Sequence, residues 1–220
     1  MIARLLLAAS VAIATPAIAA KQLVVRSSGP SAKAYPVGRQ LAEGAEVSLR
    51  AGDSLTVLGP AKARVLKGPG SFKVAASADS SPFSRRSRFS ARRGPPAPRG
   101  PWAVDVTQSG AVCVAAKQPL SLWRSAADED SAVTITGPAG KAVTLTWPAG
   151  EHAIAWPNSL PLDHAFGYRV QLKGRPAASE WKIANAGPLP ADRSATAEAL
   201  LVHGCSRQLE ELVERALWDG

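Results

Sequence analysis

Short apolar alternations, each halted by glycine or proline, confine this chain to a mostly β fold. Leu23 and Val25 share one face of such a run, as do Val47 and Leu49, Leu55 and Val57, and Phe72 and Val74. Period-two alternation is the pattern of a half-buried strand. The breaks Ala51-Gly52-Asp53, Gly59-Pro60 and Gly68-Pro69-Gly70 fall at roughly eight- to ten-residue spacing, which suits strands and not helices. Residues 20–76 are therefore expected to form a small β unit. Such a unit is short for an independent core, so it is expected to lean on the region that follows.

Residues 77–101 have a different composition. Serine, arginine and proline dominate, and Phe83 and Phe89 are the only aromatics. A segment this polar cannot bury enough apolar surface to offset its ordering entropy, and Pro95-Pro96-Ala97-Pro98 favours an extended chain. A basic linker or long exposed loop is expected there.

The β grammar resumes over residues 102–187. Val112 and Val114 point one way and Cys113 the other. Leu120 and Leu122 precede Trp123, and residues 132–136 and 141–147 flank Gly137-Pro138-Ala139-Gly140 as a hairpin. Val133 and Ile135 would face the core from its first strand, and Val143, Leu145 and Trp147 from its second. Ile154 with Trp156, Tyr168 with Val170 and Leu172, and Trp181 with Ile183 bring the total to about seven or eight strands, as in a β-sandwich. Over residues 188–220 the period changes. Asp192 or Ser194 can cap a helix carrying Ala197, Leu200 and Leu201. Gly204 then either stops it, with Ser206 starting a second helix, or lies inside one longer helix. Leu209, Leu212, Val213, Ala216 and Leu217 give the second half an apolar stripe, and Glu211 with Arg215 an i,i+4 pair.

The first nineteen residues supply an address. Arg4, an apolar run over residues 5–15 and Ala17-x-Ala19 have the form of a signal peptide cleaved after Ala19. The apolar run is too short to span a bilayer comfortably, so the mature chain is expected to be periplasmic without an integral membrane span. In that compartment the only two cysteines, Cys113 and Cys205, are expected to form a disulfide. The net charge of +9 is largely local: Arg4 leaves with the leader, and Arg85, Arg86, Arg88, Arg92, Arg93 and Arg99 lie together in the linker. The remaining charge is close to neutral, and export removes most nucleic acid as a partner.

Three segments of the first unit resemble the FecR-like periplasmic β domain. They are Pro36-Val37-Gly38-Arg39-Gln40-Leu41, the stretch Ala45-Glu46-Val47-Ser48-Leu49-Arg50-Ala51-Gly52-Asp53-Ser54-Leu55, and Leu66-Lys67-Gly68-Pro69-Gly70-Ser71-Phe72. That family pairs a G-x-x-L element with L-x-x-G-D-x-L and a glycine-rich turn before its last strand. The match covers about a quarter of the chain. It implies a periplasmic β module in envelope sensing or assembly. Its best-known members are transmembrane regulators of a sigma factor, but this chain shows neither their cytoplasmic N-terminal domain nor a membrane helix. The second region resembles uncharacterised sandwich-like extensions found in such proteins.

No residue pattern names a reaction. His152, His164 and His203 fall in three separate segments, and no G-x-S-x-G elbow offers them a serine. His152 is in register with Ile154 and Trp156, as a half-buried strand histidine would be, and Asp163-His164 sits in a turn. Cys205 beside His203 at a helix start has the placement of an activated thiol, yet pairing with Cys113 is the simpler account. H-x-x-x-H and C-x-x-C spacings are missing, and Asp128-Glu129-Asp130 lacks the glycine and spaced oxygens of a calcium loop. No catalytic residue, metal site or cofactor is expected.

All six tryptophans (Trp102, Trp123, Trp147, Trp156, Trp181 and Trp218) follow the linker. Two or three are expected in the inter-sheet core, and any exposed ones would offer a platform for sugars or peptides. The functional expectation is an exported, non-enzymatic binding or scaffold protein in cell-envelope signalling or assembly, partnered by another envelope protein. The alternative is a module that binds an anionic envelope polymer, polysaccharide or peptidoglycan, through tryptophans and the six linker arginines.

Overall fold

The computed structural model describes residues 21–74, 100–164, 166–189 and 192–219. The first unit contains β1 (Gln22–Ser28), β2 (Gln40–Leu41), β3 (Glu46–Leu49), β4 (Ser54–Leu58), β5 (Ala63–Lys67) and β6 (Gly70–Lys73). An antiparallel sheet of order β2-β1-β4-β5 packs against the β3-β6 pair. Val24, Leu41, Val47, Leu49, Leu55, Val57, Leu66 and Val74 fill the space between them. The opposite face of the larger sheet is also apolar, through Leu23, Val25, Leu58 and Ala63. A sheet buried on both faces needs near-continuous apolar strands, and β1 and β4 have them.

The second unit contains β7 (Ala103–Asp105), β8 (Gly110–Val114), β9 (Ser121–Trp123), β10 (Ser131–Thr136), β11 (Ala142–Trp147), β12 (Ala153–Ala155), β13 (Gly167–Leu172) and β14 (Ser179–Asn185). These eight strands form a five-stranded sheet, β11-β10-β13-β14-β8, facing a three-stranded one, β12-β9-β7. The β10-β11 hairpin forms in the register its alternation predicts, with Ile135 opposite Val143 and Val133 opposite Leu145. β8 runs parallel to β14 at the sheet edge. The core holds Trp147, Trp181, Tyr168, Leu122, Ile135 and Ile183 at under 2% exposure. Tyr168, at the start of β13, donates its hydroxyl to the Pro161 carbonyl and accepts from the Asp163 amide, both at 2.8 Å. One phenol thus pins the connection from β12 to β13, between the two sheets, in the manner of a tyrosine corner.

The helical region comprises α1 (Arg193–Val202) and α2 (Ser206–Trp218). Asp192 is the cap, accepting from the Ser194 amide at 2.7 Å. Gly204 ends α1 at φ +71°. Beyond it the Cys205 amide donates to the Leu200 carbonyl at 2.8 Å, and the Gly204 amide to Leu201 at 3.1 Å. Those bonds make a Schellman motif, whose left-handed residue is strained for anything but glycine or asparagine. Two helices therefore form, and not one.

The hairpin is not an appendage. Ala197, Leu200, Leu209, Leu212, Val213 and Ala216 share one buried cluster with Leu23, Val25, Leu58 and Ala63 of the first unit and Cys113 of the second. The small β unit leans on the rest of the chain as its size demands, and it does so through the helices. Layer order explains the whole arrangement: β3-β6, the β1 sheet, the helices, then the sandwich.

Candidate functional site

The most elaborate polar and covalent constellation lies where the three parts meet. Cys113 and Cys205, both 0% exposed, stand at disulfide distance with Cα atoms 5.9 Å apart. Alternation on β8 sends Val112 into the sandwich core and Cys113 outward to the helices, and the end of α1 aims Cys205 back at it. Beside the pair lies Gln208, 4% exposed. Its Oε1 accepts from the Cys113 amide at 2.6 Å, and its Nε2 donates to the Cys113 carbonyl at 2.9 Å. One carboxamide thus replaces a missing neighbouring strand along β8. Buried backbone groups left unpaired would each cost about 1–3 kcal/mol.

Charge complements this joint on the other side. Residues 21–74 carry nine basic and three acidic side chains, whereas residues 192–219 carry three basic and six acidic. The near-neutral remainder expected from the sequence conceals this opposition. Arg26 on β1 bonds both Glu210 and Glu214 of α2. Its hydrogen bond to Glu210 does most to hold the guanidinium above its ordinary pKa, against desolvation by burial. Arg193 joins the Ala61 carbonyl to Asp219, and Gln40 donates to Glu198 at 2.8 Å. Glu211 is pushed upward, first by burial and then by Glu214, with Arg215 opposing. The pair expected between Glu211 and Arg215 is felt as that electrostatic pull.

A depression of about 270 Å³, lined by Ser109, Gly110, Ala111, Ser206, Arg207 and Glu210, adjoins the joint. Another, of about 530 Å³, lies on the outer face of the five-stranded sheet between Thr136, Arg169, Gln171 and residues 176–178. Both are open to solvent, and Arg169 is already paired with Glu180 at 2.9 Å.

Asp53, of the G-D segment, is a turn pin. It is 4% exposed and accepts from the amides of Ser31 and Arg50. Desolvation opposes its ionisation, but the hydrogen bonds from Ser31 and Arg50 outweigh it and hold the carboxyl below its ordinary range. The incoming chain turns at Gly29, at φ +98°, where an added Cβ would stand 2.5 Å from Asp53 Oδ1.

The histidines belong to different parts of the fold. His152, half-buried, shares a 3.0 Å hydrogen bond with the Arg124 carbonyl and stacks on Trp123. His164 is exposed before β13, and His203 is the C-cap of α1. Among the described residues no group of three or more His, Cys, Asp or Glu could hold a metal ion. The Asp128-Glu129-Asp130 turn is a clasp: the Glu129 carbonyl accepts from Arg124 and Asp130 accepts from the Ala149 amide. Arg124, 3% exposed, also donates to the carbonyls of Glu151, Trp147 and Pro148 and lies over the Trp147 ring at 5.0 Å.

Trp123, Trp147 and Trp181 are buried, and Trp156 packs against the sandwich core. Trp102 packs half-buried against the helix cluster. Trp218 alone among them is exposed, at 64%. No tryptophan platform forms among the described residues. Ala17 and Ala19, and Arg85, Arg86, Arg88, Arg92, Arg93 and Arg99, lie outside the described residues.

Sequence reasoning found the cysteine pair and missed Gln208. A signal existed: Gln208 follows Cys205 by three positions, so a helix places both on one face. Arg124 offered none, because its partners are backbone carbonyls that no sequence pattern records. No helix among the described residues is long and apolar enough to cross a membrane. No family model matches the chain, and no curated protein or solved structure matches it.

Proposed function

We propose that this chain is an exported, non-enzymatic scaffold or binding protein of the cell envelope, presenting two β units in a fixed relation to another envelope protein. The observation that carries this reading is the buried Cys113–Cys205 pair at the joint of all three parts. A fold fastened there is best maintained in an oxidising compartment, and the leader pattern ending at Ala19 supplies a route. The FecR-like part of the proposal draws support from Asp53, whose segment is spent on a turn between β3 and β4. Such a module carries its function on its surface, in envelope sensing or assembly.

A second reading, attachment to an anionic envelope polymer, draws on the basic first unit and the linker arginines. It receives no help from the tryptophans. Expression of the full chain in a Gram-negative host tests the first reading. The protein is expected in the osmotic-shock fraction, starting at Ala20, with Cys113 linked to Cys205 in non-reducing mass spectrometry. Retention in the cytoplasm with free thiols would overturn it. Salt-sensitive co-sedimentation with purified sacculi would favour the second reading over the first.

A further inference from the structure

An open strand edge is a template for pairing with another chain, and proteins blunt such edges by shortness, charge or cover. Every other terminal strand of the larger sheets carries one of these devices. β2, β7 and β12 are two or three residues long. β5 carries Arg64 and Lys67, and β8 is closed by the Gln208 carboxamide. β11 has none. It is six residues long, Ala-Val-Thr-Leu-Thr-Trp, without charge or proline, and among the described residues it pairs only with β10.

The hydrogen bonds show which of its groups face outward. The Lys173 amide donates to the Ala132 carbonyl, and the Gly137 amide to the Lys141 carbonyl. Even-numbered residues of β10 therefore bond toward β13 and odd-numbered ones toward β11. In the observed register, Val143 and Leu145 turn their backbone groups to β10. Ala142, Thr144 and Thr146 point theirs away from the sheet, and their side chains are exposed.

We propose that β11 is a pairing edge between two copies of this chain, antiparallel about a two-fold axis at Thr144. The strand is complementary to itself in that arrangement. Val143 meets the second copy's Leu145, and the reverse, so two half-buried apolar side chains at the rim of the core gain apolar cross-strand neighbours. On the outer face Thr144 meets its own counterpart and Ala142 meets Thr146. A threonine pair of this kind already exists within the chain, where the Thr134 and Thr144 hydroxyls lie 2.9 Å apart. The nearest strand-line charge, Lys141, is carried to opposite ends of the interface. Two-fold pairing also closes the assembly, because each copy spends the one open long edge found among the described residues.

Sedimentation velocity of the full mature chain over a wide concentration series, with hydrogen exchange at Ala142, Thr144 and Thr146, tests the proposal. A concentration-dependent dimer is expected, with protection of those amides rising alongside it. Thr144→Lys sets two like charges opposite each other, and Thr144→Pro removes the central outward N–H; each should abolish the dimer while far-UV circular dichroism stays unchanged. Mixing Thr144→Lys with Thr144→Glu should restore it as a heterodimer. A monomer at every concentration, or a dimer surviving both single variants, would overturn the proposal. So would concentration-independent protection of the three amides, which would assign the edge to another segment of the same chain.

Discussion

The two β units meet the same demand, closing a small pair of sheets, with unequal means. The sandwich encloses indole and phenol rings that interlock: Trp156 meets Tyr168 edge-on at 5.4 Å and stacks with Trp181 at 6.3 Å. The Tyr168 corner and Arg124 satisfy backbone groups from within, while the buried Trp147 Nε1 has no hydrogen-bond partner among the described residues. The first unit has only aliphatic residues in its buried core, with Tyr35 and Phe72 at the margin. One of the two apolar faces of its main sheet is covered by α1 and α2. Self-containment, in this molecule, follows ring content, and the unit without buried rings borrows a layer.

That contrast predicts unequal responses to damage. Leu200→Asp places a charge in the fully buried helix cluster, and should cost more than about 4 kcal/mol. Hydrogen exchange should show β1 and β4 losing protection while β10 and β13 keep theirs; equal loss in both units would mean that they are one cooperative body. Replacing both cysteines by alanine opens a loop of 92 residues. About 2–5 kcal/mol should disappear from urea unfolding, again at the expense of the first unit. Tyr168→Phe removes both bonds of the corner and should cost about 1–2 kcal/mol, confined to the sandwich.

The smallest effect is tied to pH. Asp53 has a folded pKa below its unfolded value. Its stabilisation is complete above the unfolded carboxylate range, near pH 4, and is lost as pH falls through the depressed folded value. Asp53→Asn should flatten the acid limb of stability for the first unit. An unchanged acid limb would show that the turn does not depend on the charge.

Legibility in the sequence followed the same division. Strands with one buried face announced themselves: the β10-β11 hairpin, the Val112/Cys113 alternation on β8 and the Asp192 cap were all visible because local pattern and tertiary role agree. β5 was not, since Ala-Arg-Val-Leu-Lys buries only Ala63 and Leu66, on opposite faces. β7 is too short for a period to show. The borrowed layer was hidden for another reason. An amphipathic helix declares that it will cover something, but its stripe does not say what, and here it covers two sheets at once. Net charge averaged away the basic β unit and acidic hairpin that select each other. Gln208 went unread because its partner is 95 positions away.

The middle layer also has a consequence in time. Leu23 and Val25 lie on β1, the first described strand, and their cover includes Val213 and Ala216 from α2, the last described helix. A chain emerging from a ribosome or a translocation pore with its N-terminus first holds that sheet face bare until α2 (Ser206–Trp218) has appeared. The earliest strand can collapse early, but it cannot finish. Completion waits for α2, so the earliest described sheet depends on the last described helix.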